Sequence, residues 1–293
     1  MRSAIICLGI SCGILSAADS VGVGVRPPAG AIVLFDGSRG PATARAELSE
    51  KWVDWRDWPR GHEGDHWRSS TRNTSPAGFA IAPDPEHPGD TNHVTMRTTH
   101  PTSPAFDHGG RWGYDDIEVR PEYYHGDARL HVEWVTMGRY DPLDPENPDT
   151  AAVYTGDRAA AHYSNSGVYL QNRYEVQILS TPLGAPITDP HAMGSIVNEY
   201  APASNPGRAN GKWQAYDIEF RAARWKGGRQ IEPARMTVWW NGVKVHDNRA
   251  VTGVATGLQN TSGEPVDSTR QGLKLQAETG DVRFRNIWML KRD

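Results

Sequence analysis

The residues best suited to chemistry lie in one short stretch, Asn165-Ser-Gly-Val-Tyr-Leu-Gln-Asn-Arg-Tyr-Glu-Val-Gln-Ile-Leu179. It brings a carboxylate, Glu175, close to an amide, Gln177, and a phenol ring, Tyr169. On a rigid sheet face such a set can bind or cleave a sugar: the ring stacks on a pyranose, the amide bonds hydroxyls, and the carboxylate takes or gives a proton. The stretch reads as a hairpin, because β-branched and aromatic residues run up to a turn-forming Asn172 and away from it. Val168, Leu170, Tyr174, Val176 and Ile178 occupy even positions, while Tyr169, Gln171, Arg173, Glu175, Gln177 and Leu179 occupy odd ones. Alternate strand residues point to opposite faces, so the loop length decides which residues meet. A three-residue loop over Gln171, Asn172 and Arg173 pairs Leu170 with Tyr174 and puts Tyr169, Glu175 and Gln177 on one polar face. A two-residue loop does not. The plain alternative is a solvated outer face.

A two-carboxylate glycosidase needs its acid and its nucleophile or base roughly 5–9.5 Å apart. Sandwich-fold glucanases often place both on one strand as Glu-x-Asp-x-x-Glu, whereas here Glu175 is followed only by Gln177. A partner carboxylate would have to come from Glu133, Glu199 or Glu278. His131 and Glu133, two apart on one strand, have a spacing that can chelate a metal, although ordinary strand residues are commoner there. No serine nucleophile elbow, Gly-rich phosphate loop or His-x-x-x-His helix is present. The acidic, Pro-rich segment 141–149 has the oxygens to bind calcium but no recognised ligand spacing. No cofactor is called for, and a divalent cation such as calcium stays open.

The elements that must position these groups are short strands between turn clusters. Apolar or alternating runs occur at Ala31-Ile-Val-Leu-Phe35, Phe79-Ala-Ile81, His93-Val-Thr-Met-Arg97, Asp116-Ile-Glu-Val119 and Arg129-Leu-His-Val-Glu-Trp-Val135. After the hairpin come Gln214-Ala-Tyr-Asp-Ile-Glu-Phe-Arg221, Arg235-Met-Thr-Val-Trp-Trp240 turning at Asn241-Gly242 into Val243-Lys-Val-His246, Leu273-Lys-Leu-Gln276, and Val282 to Leu290. No stretch has the apolar spacing of an amphipathic helix of ten or more residues. Many short strands with Gly and Pro turns predict an all-β sandwich or barrel. Segment 183–211, rich in Pro, Gly and Asn, is the kind of long irregular loop that walls a site. Trp52, Trp55, Trp58 and Trp67 cluster without a period; they suit sugar stacking, or more simply cap the core.

The chain has 293 residues and a formal net charge of −4. No basic stripe argues for nucleic acid, and no apolar run is long enough to span a bilayer. Arg2, the apolar run from Ala4 to Leu15 and the small residues at Ser16-Ala-Ala18 predict a signal peptide over 1–18 and export to the periplasm or beyond. Both cysteines, Cys7 and Cys12, fall inside it, so the mature chain owes nothing to disulfides. Residues 19–30 read as a linker, and 31–293 as a single domain with no internal repeat. Nothing in the sequence speaks to the oligomeric state.

Seven pieces occur in the order found in one bacterial family: Leu34-Phe-Asp-Gly37, Leu130-His-Val-Glu-Trp134, Asn165-Ser-Gly-Val-Tyr-Leu-Gln171, Tyr174-Glu-Val-Gln-Ile-Leu179, Tyr200-Ala-Pro202, Trp213-Gln-Ala-Tyr-Asp-Ile218 and Val282-Arg-Phe-Arg-Asn-Ile287. Across most of the chain it resembles the 3-keto-disaccharide hydrolases, also described as 3-keto-glucoside lyase/hydratases. The resemblance implies a concanavalin-like jelly-roll sandwich of two antiparallel sheets, and a secreted or periplasmic enzyme acting on carbohydrate already oxidised at C3. A C3 ketone acidifies the C2 hydrogen, so a base can form an enolate and the C1 aglycone can leave. That route needs one base, a stabiliser for the enolate oxygen and an acid near the leaving group. It implies Glu175 as base or acid, Gln177 and Asn165 on sugar hydroxyls, Arg173 or Lys274 at the enolate oxygen, and Tyr169 and Gln276 as further substrate contacts. Where the family commonly carries Leu-Gln-Asp-His-Gly, this chain has Leu275-Gln-Ala-Glu-Thr-Gly280. Glu278 is the candidate replacement for the family histidine. The family's Gly-Ala-Ile-Tyr-Gly reads here as Gly194-Ser-Ile-Val-Asn198, without the aromatic. The alternative from another class is a carbohydrate-binding module without turnover.

Overall fold

The computed structural model describes residues 20–54, 79–98, 116–137, 164–180, 184, 186–227, 229–253, 272–277 and 279–292. Residues 1–18, read from the sequence as a signal peptide, the acidic segment 141–149, Trp55, Trp58, Trp67 and Glu278 lie outside these residues. In chain order the first strands are β1 (Ile32–Phe35), β2 (Trp52–Asp54), β3 (Phe79–Pro83), β4 (Val94–Thr98), β5 (Ile117–Val119) and β6 (Ala128–Thr136). The hairpin strands follow as β7 (Ser164–Leu170) and β8 (Tyr174–Leu179). Then come β9 (Gln214–Arg221), β10 (Arg224–Lys226), β11 (Arg229–Glu232), β12 (Ala234–Trp240) and β13 (Val243–Val251). The last are β14 (Lys274–Leu275), β15 (Thr279–Gly280) and β16 (Val282–Lys291).

These strands form two large antiparallel sheets, with β10 and β11 paired separately as a two-stranded ribbon. The larger runs β13-β12-β9-β6-β16-β4-β3, with β1 also on β16; the smaller runs β2-β5-β14-β7, with β15 on the β14 side of β7 and β8 on its other side. The alternation expected from the sequence decides the inner faces. Leu130, Val132, Trp134, Tyr216, Ile218 and Phe220 of the larger sheet share one buried cluster with Val168, Leu170, Tyr174, Val176 and Ile178 of the smaller. Ring contacts such as Tyr174 to Phe220, 5.4 Å between centroids, stitch the layers together. The Tyr216 hydroxyl also reaches across, donating to the Gln177 carbonyl at 2.6 Å; burial holds its pKa well above the usual phenol range. Trp52 belongs to this core, with its indole N–H on the Leu34 carbonyl at 3.3 Å.

One element escaped the period. Residues Gly40–Lys51 form a helix, α1, although no amphipathic helix was expected. Its buried stripe is Gly40, Ala44, Glu47 and Leu48, two small residues, a glutamate and a single large apolar residue, so there is no apolar repeat to read. Glu47 is sunk because it caps the preceding turn: it accepts the Asp36 N–H at 2.9 Å and pairs with Arg39 and with Lys51 at 3.3 Å. Pro41 in the first turn and Lys51 in the last fit the helix ends.

Residues 20–25, expected as part of a linker, lie across the outer face of the larger sheet. Gly22 N–H donates to Asp217 Oδ2 at 2.6 Å and Gly24 N–H to Glu133 Oε1 at 2.7 Å. Arg129 reaches the Ser20 carbonyl, and Asn286 the Val25 carbonyl at 2.9 Å. A segment held by backbone amides has no hydrophobic period to read.

Candidate functional site

The hairpin takes the three-residue loop. Leu170 pairs with Tyr174, and Gln171 and Asn172 adopt φ of 52° and 55°, the left-handed conformation that asparagine tolerates better than most residues. With that register, the even residues face the core and the odd ones the outer side of the smaller sheet. Asn172 is tied down across the sheet: its N–H donates to the Gly272 carbonyl at 3.1 Å and its side-chain amide to Glu118 Oε1 at 2.5 Å.

Pairing lines up one row of side chains across strands far apart in sequence. Glu175 is opposite Tyr169, Tyr169 opposite Lys274, and Lys274 opposite Glu118. Directly paired residues share a face, with Cβ atoms about 4.5–5.5 Å apart. Lys274 Nζ lies 3.8 Å from the Tyr169 ring centroid and 2.6 Å from Asp116 Oδ2. All five groups are buried, so their charges act through a medium far less screening than water. Burial is also what raises Glu118, to a pKa of about 7, against hydrogen bonds from Asn172 and Tyr124 and the charge of Lys274 that lower it.

The neighbouring row is Gln177 opposite Gly167, with the Gln276 N–H on the Gly167 carbonyl at 3.1 Å. Gly167 makes a hollow that the Glu175 carboxylate enters. A Cβ there would sit 2.4 Å from Glu175 Oε1 and 2.9 Å from the Tyr169 ring. Gln276, two residues beyond Lys274, is 6 % exposed, and its Oε1 has no hydrogen-bond partner among the described residues. An amide oxygen in that state can accept from a donor such as a hydroxyl. Gly167→Ala is therefore expected to displace the Glu175 carboxylate. With Glu175 as the base or acid that the resemblance implies, the expected loss of kcat/KM in glycoside cleavage is roughly a hundredfold, the order of a misplaced catalytic group. Activity within threefold of wild type would show that the hollow is idle space.

The other sequence candidates fall as follows. Asn165 lies further along the same face of β7, opposite Leu179 and Thr279. Gln177 is buried, donating to the His191 carbonyl at 3.3 Å and accepting the Ile178 N–H at 3.1 Å. The segment expected as a wall abuts this strand: Gln177 N–H donates to the Ser195 carbonyl at 3.0 Å, and Val197 N–H to the Glu175 carbonyl at 3.1 Å. Arg173 stands at the turn with its stem beside Gly253 and its side chain bonded to Tyr174, so it is not in the row with Lys274. Glu199 accepts the N–H groups of Thr252 and Gly253 at 2.9 Å each. Asp116 and Glu118 were visible only as the polar half of an alternating strand; nothing in their own sequence says that Lys274 lies beside them.

His131 and Glu133 sit on the outer face of the other sheet. His131 Nδ1 bonds Asp217 at 2.8 Å, and its ring stacks on Trp288 with centroids 5.1 Å apart. Burial opposes charge on His131, but hydrogen bonds to Asp217 and Glu133 outweigh it and raise its pKa. Glu133 accepts Arg285 Nε and the Asn286 amide, both at 2.8 Å. Every ligand-capable atom here is used structurally, and no group of three or more His, Cys, Asp or Glu among the described residues is placed to hold a metal ion. An open depression of about 330 Å³ also belongs to that sheet, lined by Asp127, Glu219, Arg221 and Arg235 among others. Its charged groups are engaged: Arg221 with Glu232, Arg292 with Glu219 at 3.2 Å, Arg224 with Asp127 at 2.6 Å, and Arg235 with the Asn248 carbonyl at 2.8 Å. The polar rows on the smaller sheet are the stronger candidate.

An antiparallel sandwich whose outer sheet face gathers carboxyl, amide, lysine and tyrosine groups is the build of a carbohydrate-active protein of the hydrolase or lyase kind. Residues 30–290 match the family model of the 3-keto-alpha-glucoside-1,2-lyase-like domain, and the chain belongs to that family. No functionally curated protein shows significant sequence similarity to it. Among solved structures, one from Parabacteroides distasonis, described as a "putative glycosyl hydrolase", superposes with a TM-score of 0.57 at 22% identity, covering 91% of this chain and 86% of that one. A second of the same description and organism gives 0.47 at 14% identity, over 90% and 95% of the two chains. The alginate lyase Aly36B gives 0.41 at 12% identity, over 89% and 96%. At these identities the first likeness speaks to the fold, and the two below 0.5 carry no argument.

Proposed function

We propose that the chain cleaves 3-keto-glycosides by removing the C2 proton and eliminating the C1 substituent, and that it does so outside the cytoplasm. The observation that carries this reading is the row Glu175–Tyr169–Lys274: one carboxylate and one ammonium on a shared buried face, separated by an aromatic platform. Glu175 takes the C2 hydrogen as a proton, and the C–H electron pair becomes the enolate of the C3 ketone. The Lys274 charge stabilises that enolate oxygen. The enolate then collapses, C1=C2 forms, the C1–O bond breaks, and the aglycone oxygen leaves with a proton from solvent water, to which Glu175 returns the proton it took. Water added across C1=C2 completes a hydrolysis. Gln177, Gln276 and Asn165 supply amides for the sugar hydroxyls, and the Tyr169 ring lies beneath the pyranose. The chemistry uses a single base, in keeping with a strand that carries Glu175 and then Gln177 rather than two acids.

Purified protein incubated with 3-keto-trehalose or a 3-keto-glucoside tests the reading. Released free sugar, or the unsaturated keto sugar seen by its enone absorbance, is the expected result. Saturable binding of the same compounds without any product would instead make this a carbohydrate-binding module.

A further inference from the structure

Lys274 is flanked by two carboxyl groups, of which the elimination uses neither. Asp116 holds it at 2.6 Å and is itself fixed by the Ala277 N–H at 3.1 Å. Glu118, two residues further along the same segment, is the direct cross-strand partner of Lys274. The setting of Glu118 is built rather than incidental. Its carboxyl accepts the Asn172 side-chain amide from the hairpin turn, the Gly272 N–H from the entry to β14, and the Tyr124 hydroxyl from the turn after β5. Gly272 fits against it so closely that an added Cβ would lie 2.2 Å from Glu118 Oε1, with the whole side chain 1 % exposed. The titratable and charged groups facing it among the described residues are Lys274 from β14, Tyr124 from the turn and Asp116 two residues back on its own strand. Tyr124 keeps its proton, since burial and the neighbouring carboxyl push its pKa far up.

We propose that Glu118 is a positioning residue that acts through Lys274: its proton sets the charge of the sheet face on which the enolate forms, and turnover is faster in the protonated state. With Glu118 neutral, Asp116 and Lys274 cancel, and the ammonium field is open towards the substrate side. With Glu118 ionised, the set of three carries one net negative charge beneath a developing negative charge. An added unit charge at ~8 Å in an effective dielectric of ~20 slows formation of the anion on the order of tenfold or more. The pKa of about 7 places that change within the neutral range. The inference rests on the elimination reading above for its kinetic consequence, but the titration belongs to the protein without substrate.

Two measurements test it. In ligand-free protein carrying 13C-labelled glutamate and lysine, one glutamate carboxyl should titrate near neutrality, and the Lys274 side-chain signals should move with the same midpoint. In steady-state kinetics, the wild-type ratio of kcat/KM at pH 6 to that at pH 9 should be on the order of tenfold, and Glu118→Gln should bring it to about one. A ratio unchanged in Glu118→Gln overturns the proposal, as does a folded Glu118→Gln without turnover at any pH. Should that variant not fold, the wild-type titration decides: no neutral-range glutamate, or a Lys274 signal indifferent to it, sinks the idea. Absence of turnover on every 3-keto-glycoside, with the coupled titration present, defeats the elimination reading instead.

Discussion

Glu175→Gln should lower kcat on a 3-keto-glycoside by roughly 10²–10⁴-fold, the usual contribution of a positioned general base, with little change in KM. The amide keeps the shape and packing of the carboxylate in the Gly167 hollow and still bonds a hydroxyl, so binding survives while proton removal does not. Separating the two needs kcat and KM measured independently, with the melting temperature as a control on folding. A variant that turns over like the wild type would remove Glu175 from the chemistry and return the polar rows to a binding role. Equal losses at Glu175→Gln and Gly167→Ala would indicate that position and charge of this carboxylate matter as one property.

Arg285→Leu should cost about 3–5 kcal/mol of stability, the range seen when one partner of a buried charge cluster is removed. Arg285 Nε serves Glu133 at 2.8 Å and its Nη1 serves Asp84 at 2.6 Å, while its guanidinium lies 4.0 Å from the Trp213 ring centroid. Leucine replaces the packing but leaves two buried carboxylates short of their cation. Urea unfolding with a lowered midpoint and unchanged slope would be the result expected; a loss below about 1 kcal/mol would show that Asn286 and the Gly24 amide suffice for Glu133. The pH dependence follows in sign. Burial alone would raise Glu133, but His131, Arg285 and Asn286 together bring it from 4.5 down to about 2. A depressed carboxylate stabilises the fold above its unfolded value, and that contribution is lost as pH falls from about 4.5 towards about 2. In Arg285→Leu the folded value rises and the acid-sensitive contribution shrinks. His131 works in the opposite direction: with a raised folded pKa, its contribution is present at low pH and is lost as pH rises through that value.

Much of this architecture is written in local pattern. The alternation through Arg129 to Val135 and through Gln214 to Arg221 told which side chains enter the core, because a strand has only two faces. The same rule put Tyr169, Glu175 and Gln177 on one side once the loop length was known. Helix α1 was illegible for the converse reason: its buried side is glycine, alanine, a capping glutamate and one leucine, Leu48, too few apolar residues to show a period. The hydrogen-bonded segment over Asp217 and Glu133 was illegible too, since backbone amides leave no mark on residue type.

By itself, the sequence determined the class of fold, the inward and outward sides of each strand, and a single base candidate on the hairpin. Those are short-range properties, set by periods of two residues and by turn chemistry. What only the tertiary structure decided is company. Lys274 meets Asp116 across 158 residues of chain and stands directly beside Glu118, while His131 and Glu133, whose spacing could chelate a metal, face the opposite side of the molecule in a closed structural cluster. Strand order is fixed by how two whole sheets bury their apolar faces together, and no local pattern encodes which polar residue becomes the neighbour of which.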